Sequence, residues 1–244
     1  VPVTGREQLS LVPDETMLAA SYQQFQQFLR ENQVVEDAGA AAGVERAGRR
    51  IAQAVERFMA SSRQPQEFAW EFKLIKNEQV NAFAMPGGKV VVYTGILPIA
   101  QDEGGLAAIM AHEIGHVIAK HSNERMSQVL LTELGGTALS AALSQQPVAT
   151  QRLLMTAFGA GAQYGVLLPY SRLQESEADR LGLIFMAMAG YDPHAALGLW
   201  QRMSESRQGP SPPEFLSTHP ADQTRIENIR KALPEALSYS GRGA

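Results

Sequence analysis

The sequence contains no cysteine. Disulfides, thiolate metal ligands and a cysteine nucleophile are therefore excluded, although the redox compartment stays open. No apolar run of about 18 residues or more occurs, so no segment is expected to cross a bilayer as a helix. Positive charge is not in excess: 21 Lys and Arg stand against 25 Asp and Glu, a net charge of −4. A nucleic-acid binder would usually show a basic patch or stripe, so no nucleic-acid partner is expected. A basic-then-apolar leader is also missing. Because the chain starts at Val1, it reads as processed or truncated, with any signal or lipid anchor lying upstream. What remains is 244 residues, 45% hydrophobic and 19% charged, enough for one sizeable core or at most two small ones.

After an extended lead-in, Met17, Leu18, Tyr22, Phe25, Phe28 and Leu29 form one apolar stripe, which predicts a helix from Asp14 to about Val35, with Asp14 as its N-cap. A second helix is expected over Val44–Ser61. The period then changes to two. Phe68, Trp70, Phe72 and Leu74 alternate with more polar residues, Val80–Met85 is short and apolar, and Lys89–Thr94 is β-branched. Residues 68–94 thus read as a small antiparallel or mixed sheet with a turn at Pro86-Gly87-Gly88. Everything after Leu97 reads as helical: Glu103–His121, Asn123–Leu143, Val148–Val166, Arg172–Ala189, Pro193–Ser206 and Ala221–Ala232. The expected class is α+β and mostly helical, with the small sheet beside one apolar helix. Residues 1–40 would be a lead-in and helix, and 41–244 the main domain, together forming one unit. Residues 134–166, rich in Gly, Ala, Ser and Thr, read as tightly packed helices or as a mobile lid, and the segment 134–170 could gate the cleft.

His112-Glu113-Ile114-Gly115-His116 lies inside that apolar helix. Histidines four apart are about 40° apart around a helix, so both imidazoles project from one face at the spacing a zinc ion needs. Glu113 follows the first histidine and is placed at the side of such a metal, where it can act as general base towards the attacking water. Two histidines and a glutamate among Ile109, Met110, Ala111, Val117 and Ile118 would be costly to bury without partners, which favours a site over an accident.

A catalytic zinc takes three protein ligands and leaves one place open. His121 is a poor third ligand: on a continuous helix it points about 140° away from His116, and it reads instead as a helix-end residue. Glu175 and Asp179 are better placed, four apart on one helix face, with Glu177 turned elsewhere. Glu175 can serve as the third ligand. Asp179, one turn on, can accept the other ring N–H of His112. The small Ala178 and Gly182 would let the two helices approach closely.

These residues resemble the gluzincin peptidase family M48, which includes the CAAX prenyl protease and HtpX. Matching pieces are His112-Glu113-Ile114-Gly115-His116 with His121, and Ser171-Arg172 through Glu175-Ser176-Glu177-Ala178-Asp179. Asn81-Ala82-Phe83-Ala84, and His219-Pro220 followed by Arg225-Ile226, complete the set. The likeness spans about residues 40–232. It implies one zinc per chain held by His112, His116 and Glu175, with Glu113 as base and polypeptides as substrates. Without membrane spans, the chain is closest in type to soluble periplasmic members such as LoiP and BepA. That implies a bacterial periplasmic or envelope location, with peripheral or lipid-anchored membrane association left open.

His219 precedes a proline before the last helix and has two readings, a catalytic hydrogen-bond donor to the developing oxyanion or a plain helix-entry residue. Asn81–Met85 reads as an edge strand able to hold an extended peptide, or as an ordinary hairpin strand. Arg172 and Arg225 can anchor carboxylates or face solvent, and His194 reads as a surface residue. The function expected is endopeptidase action on unfolded or misassembled proteins. An envelope chaperone or assembly factor with weak or regulated proteolysis is the alternative.

Overall fold

The computed structural model describes residues 1–36, 39–61, 68–129, 171–206, 214–220 and 223–241. The helices expected over Asn123–Leu143 and Val148–Val166, and the lid reading of 134–170, therefore fall wholly or mostly outside the described residues. The fold is α+β, dominated by helices, with one three-stranded mixed sheet.

Helix α1 (Asp14–Glu31) lies on one side of that sheet. Its cap position belongs to Pro13, which makes no side-chain cap, and Asp14 sits in the first turn. This corrects the expectation for Asp14. An acid there still favours the positive end of the helix. Helix α2 (Ala40–Ser61) follows. The sheet comprises β1 (Glu71–Ile75), β2 (Ala82–Met85) and β3 (Lys89–Tyr93), in the order β1-β3-β2. β1 runs parallel to β3, and β2 pairs with it antiparallel, Phe83 opposite Val91. The first strand starts at Glu71 and not at Phe68. Phe68, Trp70 and Phe72 nevertheless stack in a row, so the aromatic alternation outruns the ladder. Gly87 and Gly88 turn the hairpin with φ of +85° and +89°, which glycine adopts without strain.

β3 is buried along its whole length, as its β-branched run requires. Val90 and Val92 pack on the main core with α2, whereas Val91 and Tyr93 face Phe25 and Phe28 of α1. The sheet is thus the middle of three layers, and the third layer carries the motif helix.

After a short helix α3 (Leu97–Ala100), α4 (Glu103–Ile118) begins at Asp102, whose side chain accepts from the backbone N–H of Gly105 at 2.8 Å. Every residue from Gly105 to Ile118 is buried, the signature of a helix enclosed on all sides. The helix does not run on to His121. It ends at Ala119, Lys120 takes a left-handed φ of +53°, and helix α5 starts afresh over residues 121–129.

Helix α6 (Arg172–Met188) opens with a capping box between Ser171 and Gln174. It closes on Gly190 (φ +77°), with the Gly190 and Tyr191 N–H groups donating to Ala187 and Met186. Helices α7 (Ala195–Ser206), α8 (Phe215–Thr218) and α9 (Gln223–Leu237) complete the described chain. α4 and α6 cross very closely. A Cβ on Gly115 would stand 2.7 Å from the Ala178 carbonyl oxygen, and one on Gly182 would stand 3.0 Å from the His112 nitrogen. The close approach expected from Ala178 and Gly182 is present, and it brings the two motif helices together.

Candidate metal centre

The His112 and His116 side chains leave α4 on the same side and meet Glu175 of α6. His112 Nε2 lies 3.1 Å from His116 Nε2 and 3.5 Å from Glu175 Oε2, and His116 Nε2 lies 3.3 Å from Glu175 Oε1. His219, at the C-terminal end of α8, comes in from the other side. Its Nδ1 is 3.2 Å from His112 Nε2 and 3.0 Å from Glu175 Oε1. One atom from each of His112, His116, Glu175 and His219 falls within 4.8 Å of all the others, and all four residues are buried.

Hydrogen-bond polarity explains why a cation suits this cluster. Asp179 Oδ1 lies 2.9 Å from His112 Nδ1, and a carboxylate only accepts, so that nitrogen carries the proton. His116 Nδ1 lies 2.8 Å from His121 Nδ1, while His121 Nε2 lies 3.0 Å from Glu177 Oε2. Glu177 therefore takes the Nε2 proton of a neutral His121, and the bare Nδ1 of His121 accepts from His116 Nδ1. With both rings neutral, the inward Nε2 atoms of His112 and His116 are lone pairs 3.1 Å apart, a place that a proton fills in the metal-free protein and that a cation would take. Glu113 Oε1 and Glu175 Oε2 are buried with no hydrogen bond of good geometry. A tetrahedral zinc with bonds of about 2.0–2.1 Å asks for donor separations of about 3.3 Å, which the pairs above match.

The charges point the same way. Burial alone would lower the pKa of His112, but Glu175 and Asp179 outweigh it and raise it to about 9, so the pocket attracts positive charge. His116 is held well below its ordinary value by burial. Burial pushes Glu113 up, and neighbouring Glu175 adds to this against His219, His112 and the Ala84 backbone N–H. Glu175 and Asp179 stay ionised despite burial, mainly because of Arg225.

Arg225, ambiguous in sequence, is a buried anchor. It donates to Asp179 through Nε and Nη2 at 2.8 Å each, stands 2.5 Å from Glu175 Oε2, and stacks 3.4 Å above the Trp200 ring. Arg172 and His194 are exposed, and His194 pairs with Asp192 at 2.7 Å. Glu113 meets His219 Nε2 at 3.3 Å. The oxyanion-donor reading of His219 thus has a rival, since its Nδ1 stands among the atoms that could hold a metal ion.

Asn81, Ala82, Phe83 and Ala84 lie at the sheet edge above Glu113. Asn81 and Tyr93 pair along the β3 side, so the backbone N–H groups of Ala82 and Ala84 face outward. They are not vacant: Ala82 donates to the Asn81 side chain at 2.9 Å, and Ala84 donates to Glu113. The edge-strand reading holds for its position, but a peptide would meet outward N–H groups that already have partners.

Sequence reasoning missed the part played by His121. On a continuous helix it points away from His116, and only the break at Lys120 swings it back. Neither glycine nor proline announces that break. Glu177 faces away from Glu175 as expected, yet it is buried against His121 and Arg6.

Residues 45–233 match Peptidase family M48. The fission yeast Schizosaccharomyces pombe mitochondrial metalloendopeptidase OMA1 is 40% identical over 172 residues, 70% of this chain and 48% of its own length. Its human counterpart is 35% identical over 173 residues, 69% of this chain and 33% of its own length. The Escherichia coli beta-barrel assembly-enhancing protease is 32% identical over 169 residues, 66% of this chain and 34% of its own length. The chain spans about half the length of the first of these relatives and about a third of the others. The buried histidine and carboxylate cluster lies inside the matched region, and the chain belongs to peptidase family M48.

Proposed function

We propose that this chain is a zinc-dependent endopeptidase that cleaves unfolded or misassembled polypeptides, with one zinc held by His112, His116 and Glu175. The observation that carries the reading is the buried meeting of two imidazole Nε2 atoms with an ionised carboxylate, beside Glu113, one oxygen of which has no hydrogen bond of good geometry. When bound, zinc supplies Lewis-acid polarisation of the substrate carbonyl and makes water a nucleophile near neutral pH.

The protein's own groups do the rest. Asp179, backed by Arg225, keeps the His112 proton on Nδ1. Glu113 is held by the Ala84 N–H with one oxygen directed at His219 and the pocket. Because burial raises its proton affinity, it can take a proton from the attacking water and return it to the leaving amine. An extended substrate laid against β2 would exchange for the outward partners of Ala82 and Ala84, so binding there and freeing Glu113 are linked.

A regulated peptidase is a second reading, favoured by one observation. His219 Nδ1 stands where it would be a fourth donor, and a fourth donor fills the place that water needs. Replacing His219 by alanine would speed proteolysis if it closes the site, and slow it if it donates to the oxyanion.

The likeness to the beta-barrel assembly-enhancing proteases supports a bacterial envelope location, with the mitochondrial relatives as the competing precedent. Among the described residues no helix is long and apolar enough to cross a membrane.

The test is Glu113→Gln. The variant should bind one equivalent of zinc while cleavage of casein falls by about 10²–10⁴-fold. Cleavage at the wild-type rate would remove Glu113 from the mechanism, and a wild-type chain without stoichiometric zinc would remove the metal centre.

A further inference from the structure

Three groups behind His116 touch neither the proposed zinc position nor Glu113. His121 is wholly buried and joins His116 Nδ1 to Glu177. Glu177 accepts through both oxygens from Arg6, from Nε and Nη2 at 2.9 Å each, and from the Thr4 hydroxyl at 2.9 Å. Arg6 also reaches Glu124 through Nη1 at 2.6 Å and Nη2 at 2.7 Å. Glu124 accepts in turn from Gln174 at 2.8 Å, and Gln174 belongs to the capping box that starts the helix bearing Glu175.

The contacts along this chain suit a neutral His121. Arg6 only donates and Glu177 only accepts, so His121 presents N–H at Nε2, and the neutral ring then offers a lone pair at Nδ1. That lone pair holds the His116 proton on Nδ1 and leaves its Nε2 bare towards His112. The backbone is bent to achieve this: Lys120 takes a left-handed conformation that a non-glycine residue seldom adopts, and the bend is what returns His121 to His116. A residue serving only to fill space would need neither the bend nor a buried imidazole.

We propose that Arg6, Glu177 and His121 form a positioning relay for His116, so that the N-terminal segment is a working part of the metal centre. The relay rests on His116 being a zinc ligand, and its test separates the two ideas.

The full chain would be titrated with zinc against a chelator, and its cobalt(II) form followed by visible absorption. His121→Leu should weaken zinc ~10–100-fold, as loss of a ligand's outer partner does, and shift the cobalt bands. His121→Asn should recover most of the affinity, because its side-chain carbonyl lies about where the His121 Nδ1 was. Arg6→Met should weaken zinc several-fold alone and add nothing in the His121→Leu background, since coupled groups are not additive. Wild-type affinity and spectrum in His121→Leu would overturn the relay. So would an Arg6→Met effect of equal size in both backgrounds, or no rescue by His121→Asn. Should His121→Leu fail to fold, Arg6→Met and Glu177→Gln carry the test, and unchanged zinc affinity in both would overturn it. If wild type itself takes no stoichiometric zinc, the metal centre falls as well. If wild type binds and the variants bind equally, the relay alone falls.

Discussion

Helix α6 serves the two motif histidines by different routes. Asp179 touches His112 directly, whereas Glu177, on the opposite side of the helix, reaches His116 only through His121. Each carboxylate is backed by an arginine. Arg225 comes from the regular helix α9 and is 6% exposed, and Arg6 comes from the irregular lead-in with its side chain 22% exposed. The same chemical device is thus built once in the dry interior and once near the rim. In the interior, removing one charge strands its partners, a penalty larger than the pair's net contribution. Near the rim, water can replace part of what is lost.

Arg225→Met should therefore give the largest effect. It leaves Asp179 and Glu175 buried without their main counter-charge and removes the stack on Trp200. The metal-free protein should lose about 3–5 kcal/mol in urea unfolding. Zinc should reduce that deficit, because Arg225 competes with a cation for Glu175 and the ion restores the missing charge. A deficit that ignores zinc would break the contrast between the arms.

Both arms depend on how closely α4 meets α6. Gly115→Ala forces a methyl to within 2.7 Å of the Ala178 carbonyl oxygen, which is backbone and cannot swing aside. A loss of about 1–3 kcal/mol is expected from such overpacking. Zinc affinity should fall too, since the helices separate where His112, His116 and Glu175 must converge. Undisturbed affinity would mean that the ligands adjust independently of the crossing.

The two arms also differ in how far they could be read from sequence. The inner arm was legible because helical period alone puts His112 with His116 and Glu175 with Asp179. Only the partner of Arg225 needed the fold. The outer arm was hidden for physical reasons. His121 changes direction through a left-handed lysine that no glycine signals, and Arg6 sits in an extended stretch without periodicity. The sheet divides in the same way. Pro86-Gly87-Gly88 marks the hairpin, but alternation says nothing about which strand is the neighbour, so the parallel pairing of β1 with β3 emerges only from the structure.

Arg6→Met gives the smallest expected loss, and its response to zinc makes it the sharper probe. Charge-assisted hydrogen bonds to Glu124 and Glu177 disappear, yet the guanidinium is partly exposed, so the metal-free protein should lose about 1–2 kcal/mol. If Arg6 acts on His116 through Glu177 and His121, zinc binds the variant less tightly, and by linkage the deficit must widen once zinc is added. That is the opposite of the response expected for Arg225→Met. Urea unfolding of both variants, with and without zinc, reads the two signs in one experiment. Deficits that moved in the same direction would mean that the arms are one network and not two.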